Sequence, residues 1–218
     1  MFAFMLCLTA TAQDTDADME KERIVRVGLC LGPGLSNFIS DDEFASDDYQ
    51  WRFRFHASVF QDILLKKPFF LHTEINYSAL GTMFPVDILD SSGNMIGRGK
   101  YKYSLHYIQI PVLAKLKFGR LIRGYAAVGP YIGFLVAARG SVDPSIGADM
   151  YPTVNLADDY SPFDLGVKVH AGMEIPILNE QRLMFEARYS QGFWDISRSA
   201  SRDWNSAFTF MFGYMFEL

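Results

Sequence analysis

With 218 residues and a formal net charge of −5, the chain has the size of one all-β domain or two small ones, and the wrong charge for nucleic acid as its main partner. Half of it is hydrophobic and 15% is aromatic, yet no apolar run reaches the roughly 18 residues that a membrane helix needs. Its two cysteines, Cys7 and Cys30, exclude a disulfide framework.

Residues 1–12 read as a signal peptide. Residues 2–8 are a short apolar core, and Ala10-Thr11-Ala12 is a small-residue cleavage site before Gln13. No Lys or Arg precedes the core, so the signal is truncated or its true start lies upstream. Residues 13–24 are polar and acidic and read as a periplasmic tether. Cleavage leaves Cys30 as the one remaining thiol, read as a small interior filler.

From residue 25 the hydrophobic period is two, the signature of strands. The first strand spans residues 25–38, with Val25, Val27, Leu29 and Leu31 opposite Arg26, Gly28, Cys30 and Gly32. The second, 50–62, opposes Trp51, Phe53, Phe55, Ala57 and Val59 to Arg52, Arg54, His56 and Ser58. In the third, 69–81, Leu71, Thr73, Ile75 and Tyr77 oppose His72, Glu74, Asn76 and Ser78. The fourth, 101–118, sets Ile108, Ile110, Val112, Ala114 and Leu116 against Gln109, Lys115 and Lys117. A less regular fifth, 123–139, is rich in small residues. The sixth, 163–175, opposes Leu165, Val167 and Val169 to Lys168, His170 and Glu174, and the seventh, 182–196, opposes Leu183, Phe185 and Tyr189 to Met184, Glu186 and Arg188.

The eighth strand ends the sequence: Phe208, Phe210, Phe212, Tyr214, Phe216 and Leu218 alternate with Thr209, Met211, Gly213, Met215 and Glu217. An aromatic stripe of this kind on a soluble sheet edge invites aggregation. In a closed barrel the stripe faces hydrocarbon and the edge disappears. Short connections (64–68, 119–122, 176–181) alternate with longer ones (39–49, 82–100, 140–162, 197–205), as periplasmic turns alternate with external loops. Residues 25–218 are therefore expected to form an all-β, eight-stranded antiparallel transmembrane β-barrel, an up-and-down meander with both termini on the periplasmic side and mobile external loops.

Four segments carry a resemblance: residues 70–78 (FLHTEINYS), 107–115 (YIQIPVLAK), 127–135 (AVGPYIGFL) and 185–193 (FEARYSQGF). Together they resemble the outer-membrane β-barrel domain proteins labelled porin-family or PorT-like, across roughly residues 25–218. The family pattern leads one to expect Glu where this chain has Gln109, which leaves Lys115 to find another acidic partner. The resemblance implies an integral outer-membrane protein exported by its signal peptide. It also implies that the barrel assembly machinery reads the terminal strand, Phe210, Phe212, Tyr214, Phe216 and Leu218. The partners it implies are outer-membrane lipid and lipopolysaccharide, with an unidentified surface or secretion partner.

Glu74, Gln109, Lys115, His170, Glu186 and Arg188 share the inward parity and are expected to form a polar network in the lumen. An eight-stranded barrel has room for little beyond side chains, and buried charges must be paired. The network is accordingly read as a plug rather than a gate or a ligand site. His56, His72, His106 and His170 lie on different strands without zinc spacing, so no metal site and no cofactor are expected. Ser104 and His106 share the parity of Ile108. A lipid-modifying barrel enzyme would need such an outward pair, but both residues fit equally well as interfacial groups. Asp41-Asp42-Glu43 with Asp47-Asp48 lacks the glycine and spacing of a calcium loop and reads as solvated. Gly28, Gly32 and Gly34 form no dinucleotide fingerprint and are expected to relieve crowding inside the barrel or to mark bulges. Trp51, Trp194 and Trp204 at one set of strand ends, and Phe69, Phe118 and Phe216 at the other, form interfacial belts. The expected role is non-enzymatic, structural or surface-interacting. An accessory function in secretion, a narrow porin and a lipid-modifying enzyme are the alternatives. A soluble lipocalin-like carrier is disfavoured by the charged inward positions.

Overall fold

Strict alternation over most of the chain produces a closed antiparallel wall in the computed structural model, which describes residues 25–41, 48–89, 92–144, 153–177, 181–198 and 201–217. In chain order the strands are β1 (Val25–Ser40), β2 (Arg52–Lys66), β3 (Phe69–Leu80), β4 (Met83–Leu89), β5 (Met95–Phe118), β6 (Arg123–Pro144), β7 (Val154–Asn155), β8 (Phe163–Pro176), β9 (Arg182–Gly192) and β10 (Asp203–Glu217). Eight of them close a ring, β1-β2-β3-β5-β6-β8-β9-β10, with β10 returning to β1 in a register that runs from Arg26 opposite Glu217 to Ser40 opposite Asp203. The all-β, eight-stranded antiparallel barrel is the observed fold. Ring closure gives every wall strand a hydrogen-bonded neighbour on both sides, so no edge is left along the barrel.

The terminal strand shows which way the pleat points. Phe210 and Phe212 are 53% and 52% exposed, while Met211 and Met215 are at 1% and 0%. The same division holds for Leu29 and Leu31 against Cys30, and for Phe53 and Phe55 against His56. Most apolar residues of the wall thus form the outer surface, and the polar ones fill the interior together with Phe60, Tyr125, Met184, Met211 and Met215. Trp51 and Trp194 are exposed near the long-connection end, and Phe69, Phe118 and Phe216 near the short-turn end, as expected of two belts.

The wall departs from the sequence expectation at the long-connection end. Residues 82–100, expected as a loop, contain β4 and the first turn of a hairpin, with Met83 opposite Lys102 and Ile88 opposite Gly97. The fourth expected strand begins at Met95 rather than residue 101, and the fifth runs to Pro144 rather than 139, with Lys100 opposite Asp143. β9 stops at Gly192 where the seventh strand was expected to reach 196, and β10 starts at Asp203, inside the expected loop 197–205. β3 ends at Leu80 opposite Leu105. Met95 to Ser104 therefore rises roughly 30 Å of strand beyond the wall. Residues 105–118, paired on both sides, are long enough to cross about 30 Å of hydrocarbon at a steep tilt.

Gly81 makes the join between β3 and β4. Its φ of +143° is one that side-chain-bearing residues rarely adopt, and a Cβ there would stand 2.0 Å from the Tyr103 carbonyl oxygen. Ser36 Oγ donates to the Gly81 carbonyl at 2.8 Å, tying the join to β1. The expected signal peptide (1–12), the whole of the expected tether (13–24), Leu218 and Asp42–Asp47 of the acidic loop lie outside the described residues. Of that loop's neighbours, Asp41 accepts from the Arg202 backbone N–H at 2.7 Å.

Candidate functional site

The lumen is filled in layers, because alternate residues of every wall strand point inward and successive inward residues climb the barrel by about 6.8 Å. At the short-turn end Asp62 is the hub. Its carboxylate meets His72 Nδ1 at 2.6 Å, Lys115 Nζ at 3.0 Å and Lys117 Nζ at 2.7 Å. Glu174 joins from β8, 2.6 Å from Lys117 and 3.6 Å from Lys115. The cations also lie over aromatic faces, Lys115 at 3.9 Å from the Tyr125 ring centre and Lys117 at 4.4 Å from Phe70.

The middle layer centres on Arg188. Its guanidinium contacts Glu74 at 3.1 Å, pairs with Glu186 two residues away on the same strand face, and reaches Cys30 Sγ at 3.1 Å. Tyr125 donates to Glu186 at 2.8 Å and Ser58 donates to Glu74 at 3.1 Å. His170 Nδ1 stands 3.5 Å from Glu186, and its ring meets that of His72 edge-on at 5.7 Å. Above this layer, Tyr131 and Asn205 both donate to Asp164, at 3.0 and 3.1 Å. With its side-chain amide turned end for end, Asn76 accepts from Lys168 Nζ at 2.7 Å and donates to the Ala57 and Tyr77 carbonyls. Gln109, 1% exposed, sits opposite Asn76 in register.

All six expected network residues lie inside the barrel, but they do not form one cluster. Glu74, Glu186, Arg188 and His170 belong to the middle layer. Lys115 belongs to the layer below, where Asp62 and Glu174 are its carboxylate partners, and Gln109 belongs to the layer above. The missing Glu at position 109 is thus irrelevant to Lys115. Sequence reasoning passed over Asp62, Lys117, Asp164 and Lys168 as network members. Their inward parity was legible, but the pairings depend on register between strands far apart in the chain. Among the described residues of the wall, six buried carboxylates (Asp62, Glu74, Asp164, Glu174, Glu186 and, at the external end, Asp203) face five buried cations (Arg26, Lys115, Lys117, Lys168, Arg188). Below Asp203, within the three lumen layers, the formal charges cancel. The cavity between His56, Lys168, Arg188 and Thr209 amounts to about 10 Å³, room for a single water at most.

Gly28 shows why small residues line β1: a Cβ there would stand 2.5 Å from the Phe60 ring, which itself fills the lumen. Among the described residues, no group of three His, Cys, Asp or Glu is placed to hold a metal ion.

A barrel with an apolar exterior and a neutralised polar interior is built for lipid on the outside. The sequence matches, over residues 11–198, the family described as outer membrane protein beta-barrel domain. The chain belongs to that family, and its place is the outer membrane. A search of curated proteins gives no match. Among solved structures, the chain is similar to Neisserial surface protein A at 12% identity, covering 89% of this chain and 97% of that one with a TM-score of 0.47. It is also similar to OprG from Pseudomonas aeruginosa (11% identity, 92% and 99% covered, TM-score 0.45) and to Ail from Yersinia pestis (10%, 88% and 98%, TM-score 0.40).

In outer-membrane barrels the short-turn end is periplasmic, so β4 and the upper parts of β5 and β6 project outside the cell. Beneath that projection the lumen is closed a second time, by an apolar cluster. Phe38, Leu80, Leu105, Tyr107, Tyr160 and Ile196 are buried together there. The segments carrying Tyr160 and Ile196 fold across the opening, held by Ser161 N–H to the Ile196 carbonyl at 2.8 Å and Ile196 N–H to the Asp203 carbonyl at 2.9 Å. The expected mobile loops are in these stretches a packed cap. Composition hides it, since residues 153–162 and 193–202 read as polar connections.

Ser104 and His106 do not serve each other. The Ser104 hydroxyl accepts from Arg52 at 2.9 Å, and His106 Nδ1 bonds the Tyr77 hydroxyl at 2.5 Å while the two rings stack.

Proposed function

We propose that this is a non-enzymatic outer-membrane barrel whose spanning part is a closed anchor and whose work is done at the external surface. The observation that carries this reading is the double closure of the lumen, by two layers of charge pairs with a hydrogen-bonded third layer, and by the apolar cap above them. A channel needs a continuous wet path, and the 10 Å³ cavity between Arg188 and Thr209 is too small to be part of one. An enzyme acting on lipid would need an activated nucleophile on the outer wall, and the bonding of Ser104 and His106 to Arg52 and Tyr77 supports interfacial roles for both instead.

The projecting sheet favours a surface-interaction role over a purely mechanical one. β4, β5 and β6 carry exposed charge, including Asp87 and Arg98, well above the membrane. The accessory role in secretion implied by the PorT-like resemblance would use the same projection. Planar-bilayer recording of the purified protein is the test: the expected result is no stable, large conductance. A large, ion-selective current from the unmodified protein would overturn the closed-anchor reading and restore a porin.

A further inference from the structure

Above the apolar cap, at the external mouth, lies a cleft of about 420 Å³, within the size range of small-molecule sites. Its walls include Tyr49, Tyr103 and Tyr160, together with Asp158, Asp159 and Asp203. These come from four separate stretches: the lead into β2, the upper part of β5, the turn before β8 and the start of β10. The Tyr103 and Tyr160 rings stand 6.1 Å apart at 72°, forming an aromatic corner backed by Phe38 at 6.1 and 6.2 Å.

The charge of the lining is lopsided. Among the described lining residues, three carboxylates stand against one cation, Arg198, and of the three Asp203 is buried and already partnered. That cation is committed to the fold, since its backbone N–H donates to the Asp159 carbonyl at 3.0 Å and its guanidinium to the Asp158 carbonyl at 3.3 Å. Asp158 and Asp159 keep their side chains exposed to the opening. Aromatic faces carry the negative end of the ring quadrupole and attract cations, most strongly where water is partly excluded. Carboxylates beside such faces repel anions and add Coulomb attraction for a positive group. A neutral polyol would gain nothing from the excess of negative charge.

We infer that this cleft is a binding site for a small organic cation, a molecule carrying one or more alkylammonium groups. The ligand lays its charged nitrogen in the corner of Tyr103 and Tyr160, with the exposed Asp158 and Asp159 beside it. The site rests on the surface-role reading only for the side from which the ligand arrives. Binding to purified protein is measured without reference to orientation or conductance, so the two can fail separately.

The test is calorimetric titration of the full chain in detergent micelles, with spermidine as probe and fully N-acetylated spermidine and maltose as neutral controls. Saturable binding of spermidine at one per chain, absent for both controls and weakened by salt, is the expected result. Asp158→Asn with Asp159→Asn should weaken it by about tenfold, and Tyr103→Leu should weaken it as well. Arg198→Gln, which keeps a donor but removes the competing charge, should strengthen it. Asp87→Asn, far from the cleft and exposed, should leave it unchanged. Thermal unfolding of each variant separates lost binding from lost fold. The proposal is overturned if millimolar spermidine gives no saturable signal or if maltose binds equally well. It is overturned equally if Asp87→Asn weakens binding as much as the cleft variants do, which would mark general surface attraction.

Discussion

Arg188 and Glu74 are 114 residues apart in the chain and 3.1 Å apart across the lumen, on strands that do not touch. The contact spans the interior from β9 to β3, so it fixes the barrel's cross-section as well as neutralising two buried charges. Glu186 holds the same guanidinium from its own strand. Removing the cation leaves two carboxylates facing each other in a space that water can barely enter.

Arg188→Ala is therefore expected to destabilise the barrel by about 3–5 kcal/mol, the usual cost of stranding a buried charge. Urea unfolding in micelles, followed by the heat-modifiable gel shift, measures it. Arg188→Ala should still be non-conducting, because Phe38, Tyr107 and Ile196 close the external end independently. A current from the single variant would show that the cap does not seal.

Asp62 and Lys117 make an unequal pair. Asp62→Ala removes the shared partner of Lys115, Lys117 and His72, whereas Lys117→Ala leaves Lys115 to satisfy both Asp62 and Glu174. The expectation is a loss of about 3–5 kcal/mol for Asp62→Ala and a clearly smaller one for Lys117→Ala. Equal losses in the same unfolding assay would mean that the layer does not act as a hub.

Ile196, fully buried in the cap, tests the external closure. Ile196→Ala should cost about 2–5 kcal/mol if the cavity cannot collapse. Cleavage should also appear in residues 193–203 on limited proteolysis of whole cells, while the wall stays protected. Unchanged protection would show that the segment is held by its backbone hydrogen bonds alone.

Two glycines near the hairpin should respond differently to the same change. Gly81→Ala places a Cβ against the Tyr103 carbonyl in a backbone conformation hostile to side chains, so β4 should detach and residues 83–103 become protease-sensitive. Gly93→Ala has open space around it and carries only the conformational cost of a φ of +82°, about 1–2 kcal/mol. Its hairpin should persist.

The wall was legible in the sequence because its physics is local: lipid on one side and packed polar groups on the other force a period of two, residue by residue. Glu74, Lys115, Glu186 and Arg188 could be placed inside by that rule alone. Who pairs with whom could not, since Lys115 meets Asp62 across 53 residues through a register that no short window encodes. The projection was hidden for another reason. Pro85, Asp87, Gly97 and Gly99 are turn-forming residue types, so the stretch reads as loop although Phe84, Val86 and Ile88 alternate through it and Ile88 is buried. Cys30 shows an intermediate case: its inward parity was clear, but its contact with Arg188 and Ser58 was not.

β5 runs from Met95 to Phe118 with one bulge on its β6 side, so the external hairpin is a beam rooted in the membrane wall rather than a tether tied to it. A beam holds its tip at a set height and heading above the lipid. A partner meeting that tip captures a shape already made, without the ordering entropy that a floppy segment surrenders on contact. Met95 at the tip and Lys115 in the lumen stand on that one strand, with a single register shift on the β6 side between them.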